Sequence, residues 1–163
     1  MIIDNARIEH LNSIESIARE AKFIAVNTRM IYYLCCSIFS KYSFVAIRQN
    51  EQNDKTVVGY LCSFPDSEFK FLWIHQLVVS QNKQNIRAAG SMFGQLVNIL
   101  KKEGKIKSIR FAIRKDNPAS YVLATKPSRN SFLGTNYNCK SLGVQKELSN
   151  DYEMDIFEVE LFL

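Results

Sequence analysis

The hydrophobic pattern in the first half of the chain predicts a strand, two helices and a hairpin. Residues 1–8 form a short strand in this interpretation, and apolar residues three and four positions apart between 7 and 21 indicate a helix. A second helix follows Asn27 and Thr28, which are residue types that cap helices. Two apolar runs, 43–47 and 56–64, flank a polar turn and predict a β-hairpin.

The stretch FKFLWIHQLVV, residues 69–79, is apolar at both odd and even positions. Strands that are covered on both faces have this composition, so we expect it at the centre of a sheet. On a regular strand one face carries Phe71, Trp73, Leu77 and Val79, and the other carries Leu72, Ile74 and Val78. The aromatic residues Phe69, Phe71 and Trp73 are expected in the core.

The second half of the chain alternates between helix and strand. A helical stripe runs from Ala89 to a stop at Gly104, and 109–114 alternates as a strand. Asn117 and Pro118 suit the start of a short helix that ends at Pro127. Residues 128–150 are predicted to be irregular, and 155–163 to form a closing strand. The order predicts an α/β (α+β) fold around one central sheet, built as a single domain over 1–163.

Composition narrows the function classes. The 163 residues are 47% hydrophobic and 23% charged, which is ordinary for one globular domain. The net charge of +5 suits an anionic ligand and equally a solvated surface. The four cysteines form no CxxC pair and there are two histidines, so no metal site is expected. The absence of an apolar leader and of a membrane-length run predicts a cytoplasmic protein with reduced thiols and no membrane partner.

The exit from the central strand is the first candidate binding site. Small residues there open a helix whose first N–H groups, together with the helix dipole, can bind an anion such as a phosphate. The alternative is a small-residue helix start that only allows close packing on the sheet. The candidate residues are Arg87, Ala88, Ala89, Gly90, Ser91 and Met92.

This arrangement resembles the GNAT superfamily of acetyl-CoA-dependent N-acetyltransferases. The family turn Q/R-x-x-G-x-G/A is matched by Arg87 and Gly90, whereas Met92 departs from the expected small residue. Asn117, Ser120 and Leu123 match the family's next segment. The resemblance implies a central mixed sheet of six to seven strands with about four helices. It also implies acetyl-CoA as co-substrate, held by the turn, by the backbones of Leu77 and Val79 where the central strand parts from 109–113, and by Asn117.

Within that superfamily the chain is similar to the ectoine-pathway diaminobutyrate acetyltransferases. The motifs VVGYLCSFP, FLWIHQLVV and KDNPAS follow one another as in that family. The likeness implies substrate contacts by Tyr32, Gln76 and Asp155. The family's Trp before Gln is His75 here, its Asp corresponds to about Ala25 and its Tyr to about Met30. We therefore expect this chain to share the use of acetyl-CoA with that family, but not its diamine substrate.

The implied reaction is direct attack of a primary amine on the thioester, which requires a proton acceptor. His75 is the first candidate, with a core histidine bonded to a backbone group as the alternative. A bulge in the strand, which the family has, would change where His75 points. Asp155 and Tyr152 are the next catalytic candidates, with an exposed acidic turn as the alternative. The superfamily often has a Tyr that acts as general acid at the position of Ala124 in this chain. Tyr121 lies nearby in the sequence, but we expect it to lie on a different face of that helix.

The sequence alone leaves other functions and other roles for some residues open. Cys35 and Cys36 are expected to be buried rather than nucleophilic. A GNAT-like binding module without catalysis, or a peptide N-acetyltransferase, would fit the same motifs. Nucleic acid is not expected as a partner, although an exposed final strand could pair two copies of the chain. The basic residues are expected to form a solvated face; they are Lys101, Lys102, Lys105, Lys107, Arg110, Arg114 and Lys115.

Overall fold

The computed structural model describes residues 1–22, 24–80, 86–125, 137–145 and 153–161, which contain seven strands and four α-helices. The helices are α1 (Leu11–Glu20), α2 (Arg29–Cys36), α3 (Ile86–Glu103) and α4 (Pro118–Thr125). Single 3-10 turns lie at Ile8–His10 and Ser40–Tyr42. The strands are β1 (Ile2–Asn5), β2 (Phe44–Gln49), β3 (Lys55–Pro65), β4 (Phe71–Val79), β5 (Ser108–Arg114), β6 (Asn138–Gln145) and β7 (Met154–Glu160).

The seven strands form a mixed sheet in the order β1-β2-β3-β4-β5-β7-β6. β4 and β5 are parallel, whereas β2 and β3 form the predicted antiparallel hairpin. The expected sheet of six to seven strands with about four helices is thus confirmed. By compactness the chain divides into a first unit, Met1–Phe64 with His75–Ile99, and a second unit, Pro65–Ile74 with Leu100–Leu163. A single domain over 1–163 stays a prediction.

The core of the first unit joins α1 and α2 to strands β2, β3 and β4. Helical spacing places Leu11, Ile14 and Ala18 on one buried face of α1, as the sequence pattern predicts. They share a core cluster with Tyr60 of β3 and Val78 of β4. Cys35 and Cys36 are 1% and 3% exposed in the same cluster, which confirms that they are buried.

In the second unit, β5, β7 and β6 form an antiparallel ladder. β7 pairs with β5 from Ser108↔Glu160 to Arg114↔Met154 and with β6 on its other side. The final strand is therefore an inner strand, and the expectation that it is exposed and free to pair with a second copy is wrong. The prediction that 128–150 is irregular is also wrong in part. Asn138–Gln145 lacks apolar alternation because nearly all its side chains are exposed, so periodicity gives no strand signal.

Two further expectations are corrected locally. Helix α3 begins at Ile86, three residues before the predicted Ala89, so its first residues Ile86, Arg87 and Ala88 precede the apolar stripe on which the prediction was based. Phe69 was expected in the core but is 51% exposed, and its φ of 56° places it in a turn before β4. Only alternate β4 residues are buried, at 72, 74, 76 and 78, whereas Phe71 and Trp73 are half-buried.

Candidate active site

The start of α3 carries the predicted anion-binding residues. Since the helix begins at Ile86, the free N–H groups of its first turn are those of residues 86–88 rather than those of Gly90, Ser91 and Met92. Arg87 is exposed, Ala88 is fully buried and Gly90 is half-buried. The turn thus offers free N–H groups, small side chains and one cationic side chain in a single stretch. The preceding residues, 81–85, lie outside the described part of the chain.

Met92, the departure from the family pattern, packs against strand β3. Its side chain is 0% exposed. A Cβ built on Gly59 of β3 would lie 3.4 Å from Met92 Cε and 2.9 Å from the Val78 carbonyl oxygen. Met92 therefore fills the space above a glycine that has no room for a side chain. Its bulk is accommodated in the core of the first unit.

The central strand β4 offers the backbone positions predicted for the cofactor. Its parallel ladder with β5 contains four pairs, from Phe71↔Ser108 to Ile74↔Phe111. β4 continues to Val79, so Leu77 and Val79 lie beyond the last pair of that ladder, and both are half-buried. Ser80, directly after them, donates its backbone N–H to the Val58 carbonyl at 2.9 Å.

The two predicted substrate contacts of the first unit, Tyr32 and Gln76, are held by internal hydrogen bonds. Gln76 accepts a bond from the Tyr60 hydroxyl at 2.7 Å and donates from Nε2 to the Ala25 carbonyl at 2.8 Å. Tyr32 is fully buried and accepts the Asn27 N–H at 3.1 Å. Both side chains thereby hold the segment between α1 and α2. A direct contact with substrate stays a prediction for each.

His75, the candidate base, is the least satisfied polar side chain of this region. Its Nε2 atom is buried and has no hydrogen-bond partner among the described residues. Its ring lies 5.9 Å from that of Phe64, which in turn lies 5.8 Å from Phe39. Burial lowers the pKa of His75 below the ordinary 6.5. The imidazole is therefore neutral at pH 7, and its role as a base stays a prediction.

His75 and its neighbour Gln76 both contact strand β3. The His75 ring lies 5.9 Å from that of Phe64, whereas Gln76 bonds to Tyr60. Burial alternates regularly along β4, with His75 half-buried and Gln76 buried. A bulge at His75 stays a prediction.

In the second unit, Asp155 is the centre of a buried polar group. It is 5% exposed. Tyr121 Oη donates to Asp155 Oδ2 at 2.9 Å, and Ser141 Oγ donates to Asp155 Oδ1 at 2.7 Å. The hydrogen bond to Asp155 raises the pKa of Tyr121, and burial and the carboxylate charge act in the same direction. Asp155 is therefore not part of an exposed acidic turn.

Sequence reasoning missed the roles of Tyr121 and Ser141. Tyr121 was expected one helical face away, and Ser141 falls in the stretch predicted to be irregular. The register of β6 on β7 brings Ser141 opposite Phe157, two residues from Asp155. A strand signal in 138–145 would have been needed to find this contact. Tyr152, the third catalytic candidate, lies outside the described residues.

Asn117 has the cap role that the sequence predicts. Its Oδ1 accepts the Ser120 N–H at 3.2 Å, at the start of α4. The cap uses the oxygen of the side-chain amide and leaves its two N–H donors for another partner. A contact with acetyl-CoA through these donors stays a prediction.

The basic residues do not form a continuous unpaired patch. Arg110 Nε bonds Glu158 at 2.8 Å and stacks on Phe71, 4.0 Å from the ring centroid. Arg114 pairs with Asp116 at 2.5 Å, and Lys115 pairs with Glu153 at 2.9 Å. Three of the seven basic side chains are thus neutralised locally, as on a solvated face.

The part of the chain that the structure describes contains neither a metal-binding cluster nor a membrane-spanning helix. Within the described ranges, no three His, Cys, Asp or Glu side chains are grouped closely enough to hold a metal ion. None of the helices in that part of the chain is long and apolar enough to cross a membrane.

Comparison with known proteins agrees with the fold. The model of the acetyltransferase (GNAT) family matches residues 11–126, which is most of the chain. No curated protein is significantly similar to it in sequence.

Solved structures share the fold at low identity. Diaminobutyrate acetyltransferase EctA from Paenibacillus lautus, in complex with L-2,4-diaminobutyric acid and coenzyme A, superposes with a TM-score of 0.79 at 17% identity, over 99% of this chain and 95% of that one. The ribosomal-protein-S18-alanine N-acetyltransferase from Escherichia coli has a TM-score of 0.69 at 12% identity over 99% and 94%. Arabidopsis thaliana Naa50, in complex with a bisubstrate analogue, has 0.70 at 12% over 96% and 96%. These identities establish the fold and leave the acceptor open.

Proposed function

Since the chain belongs to the GNAT family of acetyltransferases, we propose that it transfers an acetyl group from acetyl-CoA to a primary amine of a small molecule. The single observation that carries this proposal is His75. A buried imidazole nitrogen without a partner is costly in a folded protein, unless a ligand completes it. The family match and the free N–H groups at the start of α3 support the same reading.

The residues at the start of α3 fit a pyrophosphate group. The free N–H groups of 86–88 and the positive end of the helix dipole favour an anion, and Arg87 adds a positive charge. Met92, which could have filled this space, packs over Gly59 instead. Acetyl-CoA would supply the activated thioester, and the backbone at Leu77 and Val79 would hydrogen-bond its pantetheine arm.

The chain's own residues would then handle the proton. The attacking amine forms the N–C bond of the amide while the C–S bond breaks, and the amine must lose a proton. His75 Nε2 is neutral and unpartnered, so it can accept that proton and later release it to water. Asp155 stays a predicted substrate contact in the second unit, where its two oxygens already accept the hydroxyls of Tyr121 and Ser141.

We also propose that the protein is cytoplasmic. The thiols of Cys35, Cys36, Cys62 and Cys139 are all free, which suits a reducing cytoplasm. The acceptor stays undetermined between diaminobutyrate-like amino acids and peptide amines, both of which occur among the related folds.

Binding and turnover test this proposal separately. We expect acetyl-CoA to raise the melting temperature, since a ligand at a hundred times its dissociation constant adds about 2.7 kcal/mol to the free energy of unfolding. A panel of amines, followed by release of free CoA thiol, should then identify an acceptor. A matched pair of variants, Arg87→Ala and the exposed Lys101→Ala, should weaken cofactor binding only for Arg87. A thermal shift with no thiol release from any amine would leave a binding module instead of an enzyme.

A further inference from the structure

Gln76 is a polar side chain at a buried position of the central strand. The other buried residues of β4 are Leu72, Ile74 and Val78, so packing alone would favour a hydrophobic residue at this position too. Gln76 is 7% exposed, and burying an amide costs free energy unless its polar atoms are hydrogen-bonded. The role of Gln76 must therefore be sought in its hydrogen bonds.

Two hydrogen bonds fix the orientation of the Gln76 amide. The Tyr60 hydroxyl donates to Gln76 Oε1 at 2.7 Å, and Gln76 Nε2 donates to the Ala25 carbonyl at 2.8 Å. Burial raises the pKa of Tyr60, so its hydroxyl keeps the proton that it donates. The amide oxygen therefore faces Tyr60 and the amide nitrogen faces Ala25. Because Tyr60 is fully buried, the Ala25 carbonyl is anchored to the core of the first unit.

A second anchor lies two residues further along the same segment. The Tyr32 hydroxyl accepts the Asn27 N–H at 3.1 Å, and its ring meets that of Tyr60 edge-on, with the centroids 6.1 Å apart. Residues 24–28 form neither helix nor strand. Core side chains thus take the place of backbone partners for one carbonyl and one N–H group of this segment. The segment is fixed at two points by residues of one buried cluster.

This segment is held next to the proposed base, since Gln76 directly follows His75 on β4. At the other end of α2, Phe39 lies 5.8 Å from Phe64, whose ring lies 5.9 Å from that of His75. The chain before α2 and the chain after it are therefore both tied to this stretch of β4. Residues 24–28 consequently lie close to the space from which an amine would reach His75.

Resting on the proposed function, we propose that Gln76 is a positioning residue for the acceptor amine. Through the Ala25 carbonyl it fixes residues 24–28 as one wall of the space in which the amine meets His75. Gln76 then acts through this wall, in place of the direct substrate contact that the family resemblance implies. Because the rate depends on the alignment of the amine with the thioester, a displacement of the wall by about 1 Å lowers turnover.

Gln76→Met tests this role, because methionine has a similar length and can form neither hydrogen bond of the amide. We expect the KM for the amine to rise by about 10- to 100-fold, while the thermal shift produced by acetyl-CoA stays that of the wild type. The kinetics use the amine that releases thiol fastest, starting from L-2,4-diaminobutyrate and 2-phenylethylamine. Ser63→Ala is the matched control. It removes another buried hydrogen bond of the first unit, that of the Ser63 hydroxyl to the Tyr42 carbonyl, and should leave the KM for the amine unchanged.

Two milder variants separate the anchors and keep the test available if Gln76→Met does not fold. Tyr60→Phe deletes the bond to Gln76 Oε1 and keeps the bond from Nε2 to Ala25. Tyr32→Phe releases only the Asn27 N–H. We expect each to raise the KM for the amine, and each by less than Gln76→Met.

The comparison with melting temperature distinguishes positioning from a purely structural role. If the KM for the amine follows the loss of melting temperature in every variant, with Ser63→Ala included, Gln76 only stabilises the fold and the inference is wrong. A KM for the amine that stays at the wild-type value in Gln76→Met would also overturn it. Either result would leave the acetyltransferase proposal intact.

Hydrogen exchange at the Asn27 amide measures the anchoring without any turnover. Loss of one hydrogen bond from the network should speed this exchange by about tenfold in Gln76→Met and leave it unchanged in Ser63→Ala. Unchanged exchange in Gln76→Met would mean that Gln76 does not hold residues 24–28, and the inference would fail. If the wild-type protein releases thiol with no amine at all, the proposed function fails and this role falls with it, whatever the exchange shows.

Discussion

The surroundings of His75 and Asp155 differ in one decisive respect, which is how far their hydrogen-bonding capacity is filled. His75 Nε2 is buried beside phenyl rings without a partner, whereas each Asp155 oxygen accepts a hydroxyl hydrogen bond. Unfilled capacity costs folding free energy and leaves a group available to a ligand, while filled capacity stabilises the fold. The comparison teaches that His75 keeps a buried nitrogen available to a ligand, whereas Asp155 has a structural task besides any contact with substrate.

The largest expected effect is the loss of turnover on replacing His75. His75→Gln should lower kcat/KM by about 10²–10⁴-fold, the usual contribution of a general base. His75→Phe should lower it as much while keeping or raising the melting temperature, since it removes a buried nitrogen without a partner. Thiol-release kinetics and thermal melts measure the two effects. Wild-type turnover by His75→Gln across pH 6–9 would end its assignment as base.

At Asp155 we expect the main effect of a substitution to be a loss of stability. Asp155→Ala should lower the free energy of unfolding by about 1–3 kcal/mol, because the hydroxyls of Tyr121 and Ser141 lose their buried acceptor. Urea denaturation measures this loss. The milder Asp155→Asn keeps the shape and should weaken amine binding while acetyl-CoA binding stays unchanged. If Asp155→Ala is as stable as the wild type, the contrast between the two residues is not real.

A smaller effect should follow from removing one hydroxyl at a time. Tyr121→Phe and Ser141→Ala each delete one donor to Asp155 and should each cost about 1 kcal/mol of stability. The double variant tests whether the two bonds cooperate, since neighbours in one network are not additive. Thr125→Ala at the exposed end of α4 is a matched control, as its hydroxyl bonds only the Tyr121 carbonyl. If Thr125→Ala lost more stability than Tyr121→Phe or Ser141→Ala, the bonds to Asp155 would not be the more important ones.

The smallest effects are expected from pH, in opposite directions for the two regions. Because burial lowers the pKa of His75, kcat at saturating amine should stay level down to about pH 6.5 and fall only below it. Below that pH the unfolded chain takes up the proton first, so folding is weakened. The raised pKa of Tyr121 has the opposite sense: its stabilisation is complete below about pH 10 and is lost as pH rises further. Chemical denaturation at a series of pH values measures the free energy of unfolding and separates the loss at low pH from the loss at high pH.

Sequence reasoning anticipated much of the fold because most of its elements bury one face. The helical spacing of Leu11, Ile14 and Ala18 and the cap at Asn117 are local signals, and the structure confirms both. It failed where exposure removes the signal, at Asn138–Gln145 and at Phe69. The first residue of α3 was misplaced because one turn, Ile86 to Ala88, is too short to show a period of its own.

The sequence by itself determined the family, the small-residue turn at Arg87–Ser91 and the identity of the candidate base, because these depend on residue type and on spacing along the chain. The tertiary structure alone decided that Met92 packs over Gly59, that Gln76 is bonded to Tyr60 and Ala25, and that Tyr121 and Ser141 meet on Asp155. The physical reason is that hydrogen-bond partners far apart in sequence are set by strand register and by the packing of helices on the sheet. The hydrophobic periodicity of a single segment encodes neither of these.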